Sequence, residues 1–181
     1  MVEWVLSIGP DRTKKAGERM DLTHEWFCGQ VEANKTAMFR LARSILRRDA
    51  DAEDAVAEAV LRGLTRLNSL QKQGSVKSWL MRITANESYR ILSRQREEIP
   101  LDQQIGNPAT PQQKSDEELS LWEHVKTLPE ILRAPVVLFY YEDLTVDEIA
   151  EILSLTPGAV KTRLSRARTL LRTQFQKEES Q

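Results

Sequence analysis

Apolar residues recur along most of this chain at intervals of three and four, the spacing of one face of a helix, and nowhere alternate as a half-buried strand would. From about His24 to Arg96 the pattern reads as entirely helical. Met38, Leu41, Ala42 and Ile45 form a first stripe, with Leu46 at its edge. Asp49-Ala-Asp-Ala-Glu-Asp54 interrupts that stripe and opens a second helix, with Asp51 as its expected N-cap and Asp54 reaching back toward it. Val56, Ala59, Val60, Leu64 and Leu67 predict the buried face of that helix. Leu70 to Ser78 reads as a polar loop with one glycine, and Trp79 to Arg96 as a third helix. Between Glu97 and Glu118 the period disappears: Pro100, Pro108, Pro111 and a Gly106-Asn107 turn mark a linker. It returns in Leu119, Trp122, Val125 and Leu128, stops at Leu128-Pro129, and a further short helix is expected from Pro135 to Tyr141.

Beyond Tyr141 two helix starts lie close together. Thr145 with Glu148 three residues on is a capping box, and Val146, Ile149, Ala150, Ile152 and Leu153 follow at helical spacing. Thr156 and Pro157 begin a second helix, whose apolar stripe is Val160, Leu164, Ala167 and Leu171. The predicted fold is all-α: two small helical domains on a flexible linker. An extension over 1–20 is expected to be disordered, domains occupy 21–96 and 118–175, the linker 97–117, and 176–181 is a frayed tail.

Charge sharpens the last pair of helices. From Glu142 to Glu151 every charged residue is acidic, and from Lys161 to Arg172 every one is basic. A helix-turn-helix that reads DNA needs a basic second helix able to enter the major groove and a first helix to brace it. A solvated αα-hairpin is the plain alternative. The whole chain of 181 residues carries a net charge of only −1, so any nucleic-acid contact must come from local patches. One patch is the predicted third helix, where Trp79, Arg82, Asn86 and Arg90 share a side and suit unstacked bases and phosphates; Trp79 as a core residue is the competing reading. Another is the acid of Asp49, Asp51, Glu53, Asp54 and Glu58, which suits both a helix N-terminus and a basic partner surface.

Composition excludes more than it assigns. One cysteine, Cys28, leaves no internal disulfide, and with two histidines no zinc cluster is expected. No metal, cofactor or small-molecule substrate is expected. No nucleophile–base pair, phosphate loop or cluster of metal-binding acids is recognisable, so the chain reads as a non-enzyme. The longest apolar run, Ala134 to Tyr141, is too short for membrane insertion, and the N-terminus has no signal layout, so a cytoplasmic location is expected.

Four blocks in order resemble the extracytoplasmic-function sigma factors of bacterial RNA polymerase: Asp51-Ala-Glu-Asp-Ala-Val-Ala-Glu-Ala-Val-Leu-Arg62, Lys77-Ser-Trp-Leu-Met-Arg-Ile-Thr-Ala-Asn86, Leu128-Pro-Glu130, and Leu144 to Leu153 with Gly158 to Arg168. The resemblance covers roughly His24 to Phe175. It implies a promoter-specificity subunit in which the first domain is sigma region 2 and the second region 4. It implies that Asp51, Glu53, Asp54 and Glu58 contact the clamp coiled coil of core polymerase, with the flap as a further contact. Lys77, Trp79, Arg82, Asn86 and Arg90, with the Leu70–Ser78 loop, would capture the −10 element. Lys161, Thr162, Ser165 and Arg166 would face −35 base edges or adjacent phosphates, with Arg163 and Arg168 on the backbone. An anti-sigma factor is implied as a partner. Ala159 departs from the threonine common before Val-Lys, and the Leu70–Ser78 loop is idiosyncratic, so the promoter preference is not implied. The rival readings are a helix-turn-helix regulator that acts without joining polymerase and, from another class, a nucleic-acid-processing enzyme.

Overall fold

A computed structural model describes residues 17–67, 70, 76–98 and 116–178, with side chains described from His24 onward but not at 98, 116–121 or 177–178. Residues 1–16 of the extension expected to be disordered, most of the Leu70–Ser78 loop, the linker from 99 to 115, the last three residues, and the side chain of Leu119 lie outside what is described, whereas residues 17–20 and 76–78, expected as disorder and loop, are helical as the first turns of two helices. The described residues form seven helices and no strand: α1 (Gly17–Ile45), α2 (Asp49–Thr65), α3 (Val76–Glu98), α4 (Asp116–Thr127), α5 (Glu130–Tyr140), α6 (Val146–Leu153) and α7 (Pro157–Glu178).

Helices α1, α2 and α3 pack on one another as an N-terminal bundle. The predicted stripe is its centre, with Met38, Leu41 and Ala42 at 0% exposure. Polar residues that enter this core satisfy their hydroxyls locally: Ser44, Thr84 and Ser88 donate to the carbonyls of Leu41, Leu80 and Thr84. Gly63 of α2 is a close-approach glycine. A Cβ there would sit 2.9 Å from Cζ of Phe27, a ring that is itself buried and edge-on to Trp79. Gly63→Ala gains up to about 1 kcal/mol of helix propensity but overpacks the site by about 1–3 kcal/mol. A net destabilisation of about 1–2 kcal/mol in urea unfolding is expected, and a stabilised variant would contradict this packing.

The second helix starts three residues earlier than a cap at Asp51 predicts. Asp49 is its first residue, and Arg48 occupies the N-cap position with no side-chain cap. Asp49 is instead paired with Arg43, which also donates to the carbonyls of Leu46 and Arg47, so an arginine from α1 stitches the corner that an aspartate was expected to cap.

In the C-terminal module α5 packs against α4, α6 and α7. Here the expected helix from Pro135 is corrected: it begins at Glu130 and keeps Pro135 in its interior. Proline lacks the N–H that would bond the carbonyl of residue 131. That carbonyl finds another donor, Nη1 of Arg163 from α7 at 3.5 Å. The buried side chain of Arg133 donates to the carbonyl of Leu128, and burial pulls its pKa below the ordinary arginine value.

The two modules touch one another. α1 packs against α5 and α3 against α6, and the buried apolar residues form one continuous cluster through both.

Candidate nucleic-acid and polymerase interfaces

The helix-turn-helix forms as its start signals predict. The hydroxyl of Thr145 accepts from the backbone N–H of Glu148, and the Glu148 carboxylate accepts from the backbone N–H of Thr145 at 2.9 Å and from its hydroxyl at 2.7 Å. Ser154 ends α6 in the left-handed conformation (φ 53°), while the N–H of Leu155 reaches back to the carbonyl of Ala150 at 2.8 Å. This is a Schellman turn with serine in the position glycine usually takes. Thr156 then caps α7 by accepting from the N–H of Ala159 at 3.2 Å. Only Ser154, Leu155 and Thr156 separate the helices.

The bonds from Thr145 hold the Glu148 carboxyl below its ordinary pKa, Lys77 assists and partial burial opposes. A carboxyl with a depressed folded pKa stabilises the fold above its unfolded value, about 4.3, and loses that contribution as pH falls through the folded pKa. Thr145→Ala is expected to cost about 1 kcal/mol at neutral pH. The penalty should shrink in unfolding measurements carried below pH 4; a penalty constant across that range would contradict the capping box.

On α7 the buried stripe is Val160, Leu164, Ala167 and Leu171, and the opposite face carries Lys161, Thr162, Ser165, Arg166 and Arg168, all exposed. Arg163 is set apart from them, half-buried and turned to the carbonyl of Ile131. Five of the six predicted readers therefore share an open face, and the sixth braces α7 on α5.

The predicted −10 group is more divided. Arg82 and Asn86 are exposed on one side of α3. Trp79 is half-buried, its ring 6.5 Å edge-on to Phe27, so it both packs and borders that face. Arg90 is committed to two carboxylates, with Nη2 2.6 Å from Glu87 and 3.3 Å from Glu58. At 3.6 residues per turn Lys77 lies about 200° round the helix from Trp79. It faces the C-terminal module, where it meets the Glu142 carboxylate at 3.0 Å.

The acidic group divides as well. Glu53 and Asp54 are exposed on α2. Asp51 lies 3.8 Å from Arg48, and Glu58 joins Arg62, Glu87 and Arg90 in one ionic cluster. Glu87, the hub of that cluster with its side chain 4% exposed, was not foreseen as a functional position. Its signal was present: it is the one acid within an otherwise basic helix interior. Glu142 and its partner Arg40 were also missed, and a contact spanning 102 residues has no signature in local spacing.

Comparison with known proteins places this geometry. The sigma-70 region 2 family matches residues 30–98, and the sigma-70, region 4 family matches residues 119–171. The RNA polymerase sigma factor SigV of Bacillus subtilis is 30% identical over 150 residues, covering 82% of this chain and 90% of that one. The ECF RNA polymerase sigma factor SigW of the same organism is 27% identical over 165 residues, covering 82% and 88%. Among solved structures, the sigma factor RpoE of Bartonella quintana, in complex with the anti-sigma factor NepR, aligns with a TM-score of 0.65 at 22% identity over 83% of this chain and 96% of that one. CnrH in complex with the cytosolic domain of CnrY gives 0.62 at 20% identity over 89% and 94%. At such identity these two likenesses are of fold.

Proposed function

We propose a division of labour between the two modules of this chain, which belongs to the extracytoplasmic-function branch of the sigma-70 family and is a promoter-specificity subunit of RNA polymerase. The observation that carries it is the open basic face of α7 opposite a fully packed stripe, on a helix-turn-helix braced by α6. Lys161, Thr162, Ser165 and Arg166 read the edges of the −35 duplex, and Arg168 holds its backbone. Arg82 and Asn86, beside Trp79 and next to the 70–78 segment, take single-stranded −10 bases once they are unstacked, a step that costs a few kcal/mol. Arg90 supports them from within its carboxylate cluster. Glu53 and Asp54 present acid to the clamp of core polymerase, with Asp51 and Glu58 behind them.

The chain itself makes and breaks no bond; nucleotide addition belongs to the polymerase. Among the described residues no helix is long and apolar enough to cross a membrane, and we place its action in the cytoplasm. The fold likeness to sigma factors held by NepR and by the cytosolic domain of CnrY supports an anti-sigma protein as a further partner. A regulator that never joins polymerase is not favoured, because two region families and whole-length relatives named as sigma factors match in order.

Binding of the labelled chain to purified core polymerase tests this reading. Asp54→Ala is expected to weaken core binding several-fold, about 1 kcal/mol for one solvated charge, without changing helix content. Core affinity equal to wild type would leave Asp54 as a surface acid only.

A further inference from the structure

Glu87 is buried between α2 and α3, with its side chain 4% exposed. One of its oxygens, Oε2, accepts from Nε of Arg90 at 2.7 Å and lies 2.6 Å from Nη2 of the same guanidinium. The other, Oε1, lies 2.7 Å from Nε of Arg62 on α2. Glu58 completes the group, 3.3 Å from Nη2 of Arg90 and 3.7 Å from Nε of Arg62. Two carboxylates and two guanidiniums thus offset one another's charge. A lone carboxylate at this depth would be costly to desolvate, and the two arginines offset that cost.

Arg90 is the member of the group that also faces outward. Its side chain is 33% exposed, and it stands four residues beyond Asn86 and eight beyond Arg82, the exposed pair of α3, at about 6 Å of rise per step. A guanidinium reads a guanine edge with two parallel N–H donors. Here Nε is donated to Glu87, and both carboxylates lie within 3.3 Å of Nη2. Nη1 has no acceptor among the described residues. One free nitrogen suits a single oxygen acceptor and not a two-point base edge.

We propose that Glu87 is a positioning residue: it aims Arg90 at a backbone phosphate of the melted −10 strand, so that Arg90 adds affinity without sequence preference. The inference rests on the assignment of −10 capture to α3. An arginine already held by carboxylates loses little side-chain freedom on binding, whereas a free one gives up rotamer entropy at that moment. Base discrimination is left to Arg82, Asn86 and the 70–78 segment. Charge and aim make opposite forecasts for one substitution. Glu87→Gln removes a negative charge beside the strand-facing row, so charge alone predicts tighter binding to DNA. Loss of aim predicts weaker binding.

The test uses the full chain with saturating core polymerase and a genomic promoter found by run-off transcription, its −10 segment already unpaired by mismatches. Binding is measured over a salt series. Glu87→Gln and, independently, Arg90→Lys are expected to weaken binding several-fold with unchanged helix content. Arg90→Lys keeps a cation beside the buried carboxylate, so it tests the aim even if Glu87→Gln fails to fold. Arg90→Met should weaken binding equally for every −10 variant and lower the salt slope by about 0.7, the value for one single-strand phosphate. Adding Glu87→Gln to Arg90→Met should cost nothing more. Folded Glu87→Gln that binds as tightly as wild type or tighter, or Arg90→Lys equal to wild type, would overturn the positioning role. A loss confined to one −10 base would overturn it as well, by making Arg90 a base reader. A wild-type complex that binds a scrambled −10 segment as well as the promoter would instead overturn the assignment of −10 capture to α3.

Discussion

Ile149→Ala is expected to destabilise the chain by about 2–5 kcal/mol, the range for removing most of a fully buried aliphatic side chain. Ile149 is 0% exposed in α6, a helix of eight residues. A helix that short is not stable alone in water and exists here because Ile149, Ile152 and Leu153 are packed. Helix α6 rests on α3, α5 and α7, so the cavity opens beneath the brace of the recognition helix. Urea unfolding followed by far-UV circular dichroism measures the cost, and promoter use at temperatures near the new midpoint should fall in parallel. A cost below 1 kcal/mol would mean that α6 is held by something other than its apolar face.

Arg166→Ala carries the second large effect, and it is functional rather than structural. The side chain is exposed on the open face of α7 beside Ser165, and its removal opens no cavity. If the guanidinium pairs bidentately with a guanine edge, its loss costs about 1–3 kcal/mol, roughly 5–150-fold in −35-dependent initiation. The loss should be concentrated at one base position, so that promoters altered there respond little to the substitution. A contact to phosphate alone would instead lower all −35 variants equally and reduce the salt dependence of binding by about one counterion. Initiation unchanged across a panel of −35 variants would remove Arg166 from the interface.

Much of this architecture is readable from residue order because its signals are local. Thr145 with Glu148 and Thr156 with Pro157 cap helices in the structure as their spacing predicts, and Val160, Leu164, Ala167 and Leu171 form the buried stripe. What residue order hides depends on partners far along the chain. Pro135 reads as a helix start, yet it sits mid-helix because Arg163, 32 residues beyond Ile131, approaches the carbonyl it leaves open. Asp51 reads as a cap, but Arg43 and Asp49 hold that corner. Lys77 and Arg90 read as one basic patch with Arg82, whereas each is claimed by a carboxylate, Lys77 by Glu142 of the other module and Arg90 by Glu87 and Glu58. Glu53, Asp54, Arg82, Asn86, Lys161 and Arg166 are exposed, as their proposed roles require, and the paired candidates also have a structural part.

These ionic contacts also tie the proposed surfaces together. Glu58 of the polymerase-facing group lies 3.3 Å from Arg90 of the −10 group, with the buried Glu87 between α2 and α3. One ionic cluster therefore joins the side of α2 proposed to face polymerase to the side of α3 proposed to meet the melted strand.

Run-off transcription with purified core polymerase and this chain as the sole specificity subunit is the most direct measurement. Defined start sites downstream of a shared −35/−10 pair, absent with core alone and lost when either element is scrambled, are expected. Folded chain with active core that initiates at no genomic promoter would contradict its role as a promoter-specificity subunit.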